Sequence, residues 1–130
     1  MKQINKYIQE RLHINKDTSN YYNYHPKTKE ELKKLVNNLI KERGNEADLN
    51  DIDTSEITDM SYMFTYSKFN GDISNWDVSK VKNMGYMFWD SSFTGKNGDL
   101  SNWDVSNVKN MSYMFNCSPL EKNPPKWYKE

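Results

Sequence analysis

Three Asp-x-Ser pairs are the polar residues in this sequence best placed to act together: Asp53 and Ser55, Asp77 and Ser79, Asp104 and Ser106. They recur at intervals of 24 and 27 residues, so equivalent side chains form rows if the segments that carry them stack. Two interpretations are open. The rows form an acidic, hydrogen-bonding strip for a basic partner segment, or each carboxylate accepts nearby backbone N–H groups and fixes a turn. The second is favoured because an uncompensated row of like charges is unfavourable.

A second row consists of tyrosines at equivalent positions, Tyr62, Tyr86 and Tyr113. Tyrosine is enriched at protein interfaces because it offers apolar area and a hydroxyl together, so this row is a candidate binding surface. Half-buried packing between adjacent repeats explains it equally well. Trp89 lies where the other copies have no aromatic residue, and it is either a binding residue or a shielded loop anchor.

Metal binding and catalysis find little support in the residue pattern. The spacing Asp51-x-Asp53-x-Ser55 is similar to the opening of a calcium loop, but Glu56 stands where such a loop needs Gly and Tyr62 where it needs Glu. We therefore expect no metal site.

The single cysteine, Cys117, has no histidine near it in sequence, since His13 and His25 both lie in the N-terminal region. A lone cysteine also excludes an intramolecular disulfide and favours a reducing compartment. No phosphate-binding loop or nucleophile motif is present, so the sequence predicts neither an enzyme nor a cofactor.

Three copies of a repeat, beginning at residues 49, 73 and 100, must position these rows. Each copy has large apolar residues at the same eight offsets, and only Thr54 breaks the set. In the second copy the residues are Ile73, Trp76, Val78, Val81, Met84, Met87, Phe88 and Phe93. The pattern predicts an α/β repeat fold, a short, capped leucine-rich-repeat-like solenoid, with a strand near Trp76–Val78 and a helical turn at Met84–Phe88.

The N-terminal part, residues 1–47, is predicted to cap the repeats with helices at about 2–12 and 29–43. Thr28 is the candidate N-cap of the second helix, Glu31 follows three residues later, and Gly44 fits its C-terminal end. Residues 48–130 hold the three repeats and a C-terminal closing segment. Trp127 begins that segment, 24 residues after Trp103.

Charge distribution argues against several classes of partner. The 130-residue chain has no formal net charge, with ten Lys and Arg against six Asp and Glu in residues 1–47 and five against ten in residues 48–120. The repeats offer no basic groove for nucleic acid, and no apolar stretch is long enough to span a membrane. The sequence shows no signal peptide, so we expect a cytoplasmic protein, or a surface protein if it is exported by another route.

The repeated segments 76–84 and 103–111, each followed by a Met-Phe pair, resemble the BspA-like leucine-rich repeats, which are Mycoplasma-type surface repeats of unknown function. The lead-in from Pro26 to Ser55 also resembles the helical segment that opens this repeat. The resemblance implies a right-handed solenoid that binds proteins, often as a bacterial adhesin or lipoprotein. This chain has no lipidation cysteine and only three copies, so it is more similar to small unsecreted members that are mobile-element or phage products.

The sequence thus predicts a non-enzymatic protein–protein interaction module whose partner is a protein of unknown identity. The candidate binding residues are the tyrosine row, Trp89 and the Asp and Ser rows. One hypothesis is a mobile-element or phage product that binds a host protein inside bacteria. The alternative is a surface adhesin or a self-assembling structural protein, whose repeats would stack head to tail into homo-oligomers.

Overall fold

The computed structural model of the chain describes residues 22–129, and their regular secondary structure consists of two helices. Helix α1 spans Lys29–Arg43, and the 3-10 helix η1 spans Pro119–Glu121. The predicted helix at about 2–12 lies outside the described residues. No helix in the described range is long and apolar enough to cross a membrane.

Helix α1 begins and ends where its capping residues predict. The Thr28 hydroxyl accepts a hydrogen bond from the Glu31 amide at 3.1 Å, and the Glu31 carboxylate accepts one from the Lys27 amide at 2.6 Å. Gly44, with φ 94°, ends the helix, and its N–H donates to the Ile40 carbonyl. The predicted helix 29–43 is therefore confirmed. Its buried face consists of Leu32, Val36 and Leu39.

The prediction of an α/β repeat solenoid is wrong. Residues 22–129 contain no β-strand or sheet, and the repeats meet at isolated parallel bridges such as Asp59 to Asn83. The expected strand at Trp76–Val78 is irregular chain between turns, and the expected helical turn at Met84–Phe88 is a series of turns. In the first half of the repeat, the N–H groups of Trp76 and Val81 close turns to the carbonyls three residues earlier and so make no strand ladder. In the second half, left-handed φ angles such as that of Tyr86 end a helix.

Main-chain hydrogen bonds nevertheless hold the three repeats side by side and in register. Alternate N–H groups of one repeat donate to alternate carbonyls of the next. From the first repeat to the second, the pairs are Met60 to Asn83 at 2.9 Å, Tyr62 to Gly85 at 3.1 Å, Phe64 to Met87 at 2.8 Å and Tyr66 to Trp89 at 3.0 Å. The remaining N–H groups, such as that of Met63, bond within the repeat to the carbonyl three residues earlier.

Aromatic side chains form columns through the core. The rings of Phe64, Phe88 and Phe115 lie 5.5 and 5.6 Å apart, nearly parallel. In a second column, each tryptophan indole N–H donates to a carbonyl about one repeat earlier. The pairs are Trp76 to Leu49 at 3.0 Å, Trp103 to Ile73 at 3.1 Å and Trp127 to Leu100 at 2.7 Å. Trp127 therefore continues the column in the C-terminal segment.

A bidentate ion pair attaches helix α1 to the first repeat. The Arg43 guanidinium donates to both carboxylate oxygens of Asp51, at 2.9 and 3.0 Å, and the Asn23 amide donates at 2.8 Å. Burial by itself raises the pKa of Asp51, but the hydrogen bonds from Arg43 and Asn23 outweigh it and leave this pKa below its ordinary value of 3.8.

The tryptophan column supplies a stability test. Trp76→Ala is expected to lower the free energy of unfolding by about 3–5 kcal/mol because it removes a buried ring. Trp76→Phe keeps an aromatic ring but removes the indole N–H bond to the Leu49 carbonyl, which still accepts the Ile52 N–H, so the loss should be about 0.5–1.5 kcal/mol. Urea denaturation measures both values, with Trp89→Phe on the surface as a control that should change stability by no more than about 0.5 kcal/mol. An equally small effect of Trp76→Ala would contradict the described core.

The Asp51 ion pair predicts a pH dependence. Because the folded-state pKa of Asp51 is depressed, its stabilisation is complete above the ordinary value of 3.8 and is lost as pH falls through the folded-state pKa. Asp51→Asn should therefore be less stable than the wild type at neutral pH, and the difference should shrink under acid conditions. Urea titrations across that range test this. Glu46→Gln, which removes the exposed ion pair with Lys96, is the control and should change stability little at any pH. A loss of stability in Asp51→Asn that is the same at every pH would contradict the assignment.

Candidate protein-binding surface

The predicted tyrosine row exists as a stack of rings on the surface. Tyr62 and Tyr86 have ring centroids 4.9 Å apart with nearly parallel planes, and Tyr86 and Tyr113 lie 5.2 Å apart. Tyr62 is 50% exposed and Tyr113 is 54% exposed. The rings therefore both pack between repeats and face solvent, so each of the two interpretations of the row describes part of the geometry.

Two more aromatic residues extend the tyrosine row sideways. Trp89 contacts Tyr86 edge to face with centroids 6.1 Å apart, and on its other side it contacts Tyr66 at 5.2 Å. Tyr66 is 66% exposed and is not among the predicted residues; the other copies have Asp90 and Cys117 at its position. An unmatched aromatic residue, the signal that identified Trp89, would have found it. We call the set the aromatic face: Tyr62, Tyr66, Tyr86, Trp89 and Tyr113.

The backbone that carries the tyrosine row is strained. Tyr62, Tyr86 and Tyr113 have φ angles of 62°, 59° and 57°, in the left-handed region that tyrosine rarely adopts. This conformation costs about 1–2 kcal/mol per residue. The hydrogen bonds between repeats offset it. The Tyr86 N–H, for example, donates to the Ser112 carbonyl at 2.9 Å.

Two lysines of helix α1 lie at one end of the aromatic face. The Lys29 ammonium is 5.5 Å from the centroid of the Tyr62 ring and donates to the Ser61 hydroxyl at 2.8 Å. The Lys33 ammonium donates to the Met63 carbonyl at 2.6 Å. Burial, with repulsion from Lys29, lowers the pKa of Lys33. Helix α1 thereby brings positive charge to the edge of an aromatic surface.

The Asp and Ser rows form a set of turns in another part of each repeat. Each aspartate accepts a hydrogen bond from the serine amide two residues later. The distances are 3.0 Å for Asp53 and Ser55, 3.0 Å for Asp77 and Ser79, and 3.1 Å for Asp104 and Ser106. The hydrogen bonds from Ser106 also lower the pKa of Asp104. This geometry is the turn-fixing interpretation of the rows, while their role in binding stays a prediction.

Asparagine makes the same turn elsewhere in the repeats. The Asn83 side chain accepts from the Gly85 amide at 2.9 Å, and the Asn110 side chain accepts from the Ser112 amide at 2.8 Å. A carboxylate is therefore not required for this turn. The charge of the Asp rows and their turn geometry can be separated by mutation.

The groups that could support catalysis or metal binding are dispersed. Among residues 22–129, no three His, Cys, Asp or Glu residues are grouped so as to hold a metal ion. Asp51 is bound to Arg43, and His25 lies 3.2 Å from Asp53. Cys117 is an exposed free thiol, and His13 falls outside the described residues. The arrangement that the structure does assemble is a surface, the aromatic face.

Comparison with known protein families gives a match over most of the chain. Residues 30–130 match the model of a family described as "Mycoplasma protein of unknown function, DUF285". No curated protein and no solved structure matches the chain. The match supports the sequence resemblance to Mycoplasma-type proteins of unknown function at the level of a family, and it assigns no activity.

The left-handed backbone next to the aromatic face predicts that substitution by glycine will not destabilise the protein. Asp90 has φ 53°, so Asp90→Gly should be at least as stable as the wild type, whereas Asp90→Val should be about 1–3 kcal/mol less stable than Asp90→Gly. Urea denaturation measures the difference. Lys80 does not have a left-handed φ angle, so Lys80→Gly should not be more stable than Lys80→Val. Equal stability of the two Asp90 variants would show that this backbone conformation is not held.

Proposed function

The chain belongs to this DUF285 family, whose function is unknown, and we propose that it is a non-enzymatic module that binds another protein through the aromatic face. The observation that carries the proposal is the continuous set of solvent-facing rings across all three repeats. Exposed tyrosine and tryptophan side chains grouped in one patch are characteristic of interfaces, where they supply most of the binding energy.

The rigidity of the aromatic face supports this function. Each ring of the row is held against the ring of the next repeat, so little side-chain entropy remains to be lost when a partner binds. The backbone at Tyr62 and Tyr86 is also held by hydrogen bonds from their N–H groups to the next repeat. A partner therefore meets a preformed surface.

The charges around the aromatic face indicate the chemistry of the partner. Lys29 lies against Tyr62, and Lys33 lies beside it on the same helix. A partner that buries these rings therefore gains from a carboxylate placed next to its own apolar patch. We infer an apolar protein surface with acidic residues at one edge.

The state of the cysteine favours an interaction inside a bacterial cell. Cys117 is exposed and forms no disulfide within the described residues. Exposed thiols persist in reducing compartments, whereas proteins of oxidising compartments commonly pair them. We therefore place the proposed interaction in the cytoplasm.

Affinity capture from a bacterial lysate, quantified by mass spectrometry, tests the aromatic face. The test variant carries Tyr62→Asn, Tyr86→Asn and Tyr113→Asn, because asparagine tolerates left-handed backbone and removes only the ring. We expect a protein captured in stoichiometric amount by the wild type and reduced at least about tenfold with the variant, as expected for lost hot-spot residues. Circular dichroism and urea denaturation check that the variant is folded.

A matched control separates the two predicted surfaces. Asp77→Asn with Asp104→Asn removes charge from the Asp row and keeps the turns, since Asn83 and Asn110 already make them. Capture should persist in this control. Loss of the partner in the control alone would move the binding site to the Asp row. Capture of no protein, or equal capture by all three forms, would contradict the proposed function.

A further inference from the structure

The two ends of the repeat stack are chemically different. At the N-terminal end, helix α1 covers the first repeat, and the Lys33 ammonium binds the Met63 carbonyl. In the second repeat the equivalent carbonyl, of Met87, accepts the N–H of Phe64. Helix α1 thus takes the place that a preceding repeat would occupy. Among residues 22–129, no helix covers the opposite, donor edge of the third repeat.

Main-chain donors are unpaired along this edge. In the second repeat, the N–H groups of Met84, Tyr86 and Phe88 donate to the third repeat at 2.7, 2.9 and 2.9 Å. Their equivalents one repeat later, the N–H groups of Met111, Tyr113 and Phe115, have no acceptor among residues 22–129. Only the fourth position is satisfied, because the Cys117 N–H donates to the Glu121 carboxylate at 2.9 Å. We call the three unpaired groups the open edge.

A groove of about 720 Å³ lies beside the open edge. Its apolar lining comes from Val105, Val108, Met111 and Trp127, which are all partly exposed. In the second repeat the residues equivalent to the first three are fully buried: Val78, Val81 and Met84. The groove is therefore core surface that the described residues leave uncovered, next to donors that need acceptors.

The charged residues of the groove are all basic. Lys109, Lys126 and Lys129 line it, and none of residues 22–129 that line it is an aspartate or glutamate, although the chain as a whole has no net charge. This local excess of positive charge selects against a basic occupant and favours an acidic one.

We propose that the open edge binds an acidic peptide segment of a partner protein. The carbonyls of that segment accept hydrogen bonds from Met111, Tyr113 and Phe115, its apolar side chains enter the groove, and its carboxylates contact the three lysines. This is edge addition, in which main-chain hydrogen bonds supply affinity and the flanking pockets and charges supply specificity.

A second copy of the chain does not fit this edge. Two open edges brought together present donors to donors. Head-to-tail stacking would require the carbonyl edge of the first repeat, which helix α1 covers through Lys33 and the buried Leu32 and Val36. Among residues 22–129, the carbonyl edge that stacking would need is thus covered, so we take the peptide segment to come from a different chain with free carbonyls.

A labelled peptide with the sequence of residues 48–67 is a suitable probe. It carries five acidic residues and no basic ones. In the protein this segment belongs to the first repeat, whose N–H groups donate to the second repeat and whose carbonyl edge faces helix α1. We expect saturable binding by fluorescence anisotropy, weakened at least about tenfold by Lys109→Glu with Lys126→Glu and Lys129→Glu. Replacing the acidic residues of the peptide with Asn and Gln should weaken binding similarly. Lys34→Glu with Lys68→Glu and Lys80→Glu makes the same change of charge at exposed lysines that do not line the groove, and this matched control should keep its binding.

Amide hydrogen exchange by NMR locates the bound peptide. Exchange at Met111, Tyr113 and Phe115 should slow at least about tenfold on binding, while Met84 and Tyr86, already bonded, should not change. The triple Tyr→Asn variant keeps its main-chain N–H groups and should still bind the peptide, which separates this proposal from the aromatic face. No saturable binding, binding without protection of these amides, or self-association of the intact chain in sedimentation would overturn it.

Discussion

The need to pair every main-chain N–H and C=O group without regular strands determines most of this structure. Buried main-chain groups must find partners, and a repeat of this kind meets the requirement in two directions. Alternate N–H groups donate to the next repeat, and those between them close turns within their own repeat. This alternation forces certain residues into left-handed φ angles, such as Tyr62 and Asp90. Asp and Asn side chains pair further main-chain N–H groups, because each accepts the N–H of the residue two positions later in a turn.

The strained backbone and the surface are products of the same constraint. A side chain at a left-handed position stands away from the turn, so a tyrosine there stacks on its counterpart in the next repeat instead of entering the core. Three copies of one local conformation therefore produce a ring stack on the surface. A smaller residue would suit the backbone better, and the presence of tyrosine is consistent with selection for the surface that it makes.

The sequence predicted what depends on burial and capping. Equal apolar offsets identified the core, where Trp76, Phe88 and Met84 are buried, and the Thr28 and Gly44 signals located helix α1. It did not predict the backbone path, because the alternation Trp76-x-Val78 is the same in a strand and in an irregular segment with one buried side. Tyrosine carries no local signal for left-handed backbone, so the turns at the second half of the repeat looked helical.

Only part of the candidate binding surfaces was predicted from the sequence. The tyrosine row and Trp89 were found because repetition, or its absence, marks them in sequence. The neighbour of Trp89 in space, Tyr66, carries the same mark, an aromatic residue that the other copies lack, but only the structure shows that the two rings are in contact. The unpaired N–H groups of the third repeat depend on which segment lies beside that repeat in space. The spacing of residues along the sequence does not show this.

The direction of the hydrogen bonds between repeats has a consequence for how this protein is made. In the second half of the first two repeats, alternate N–H groups donate forward to the next repeat, and helix α1 closes the starting side. The helix is stabilised by local contacts and can form early, since short-range structure needs little loop closure. The first repeat, closed by the helix on its starting side, then presents its forward N–H donors to the second, so the order of synthesis is also the order in which the layers can be added.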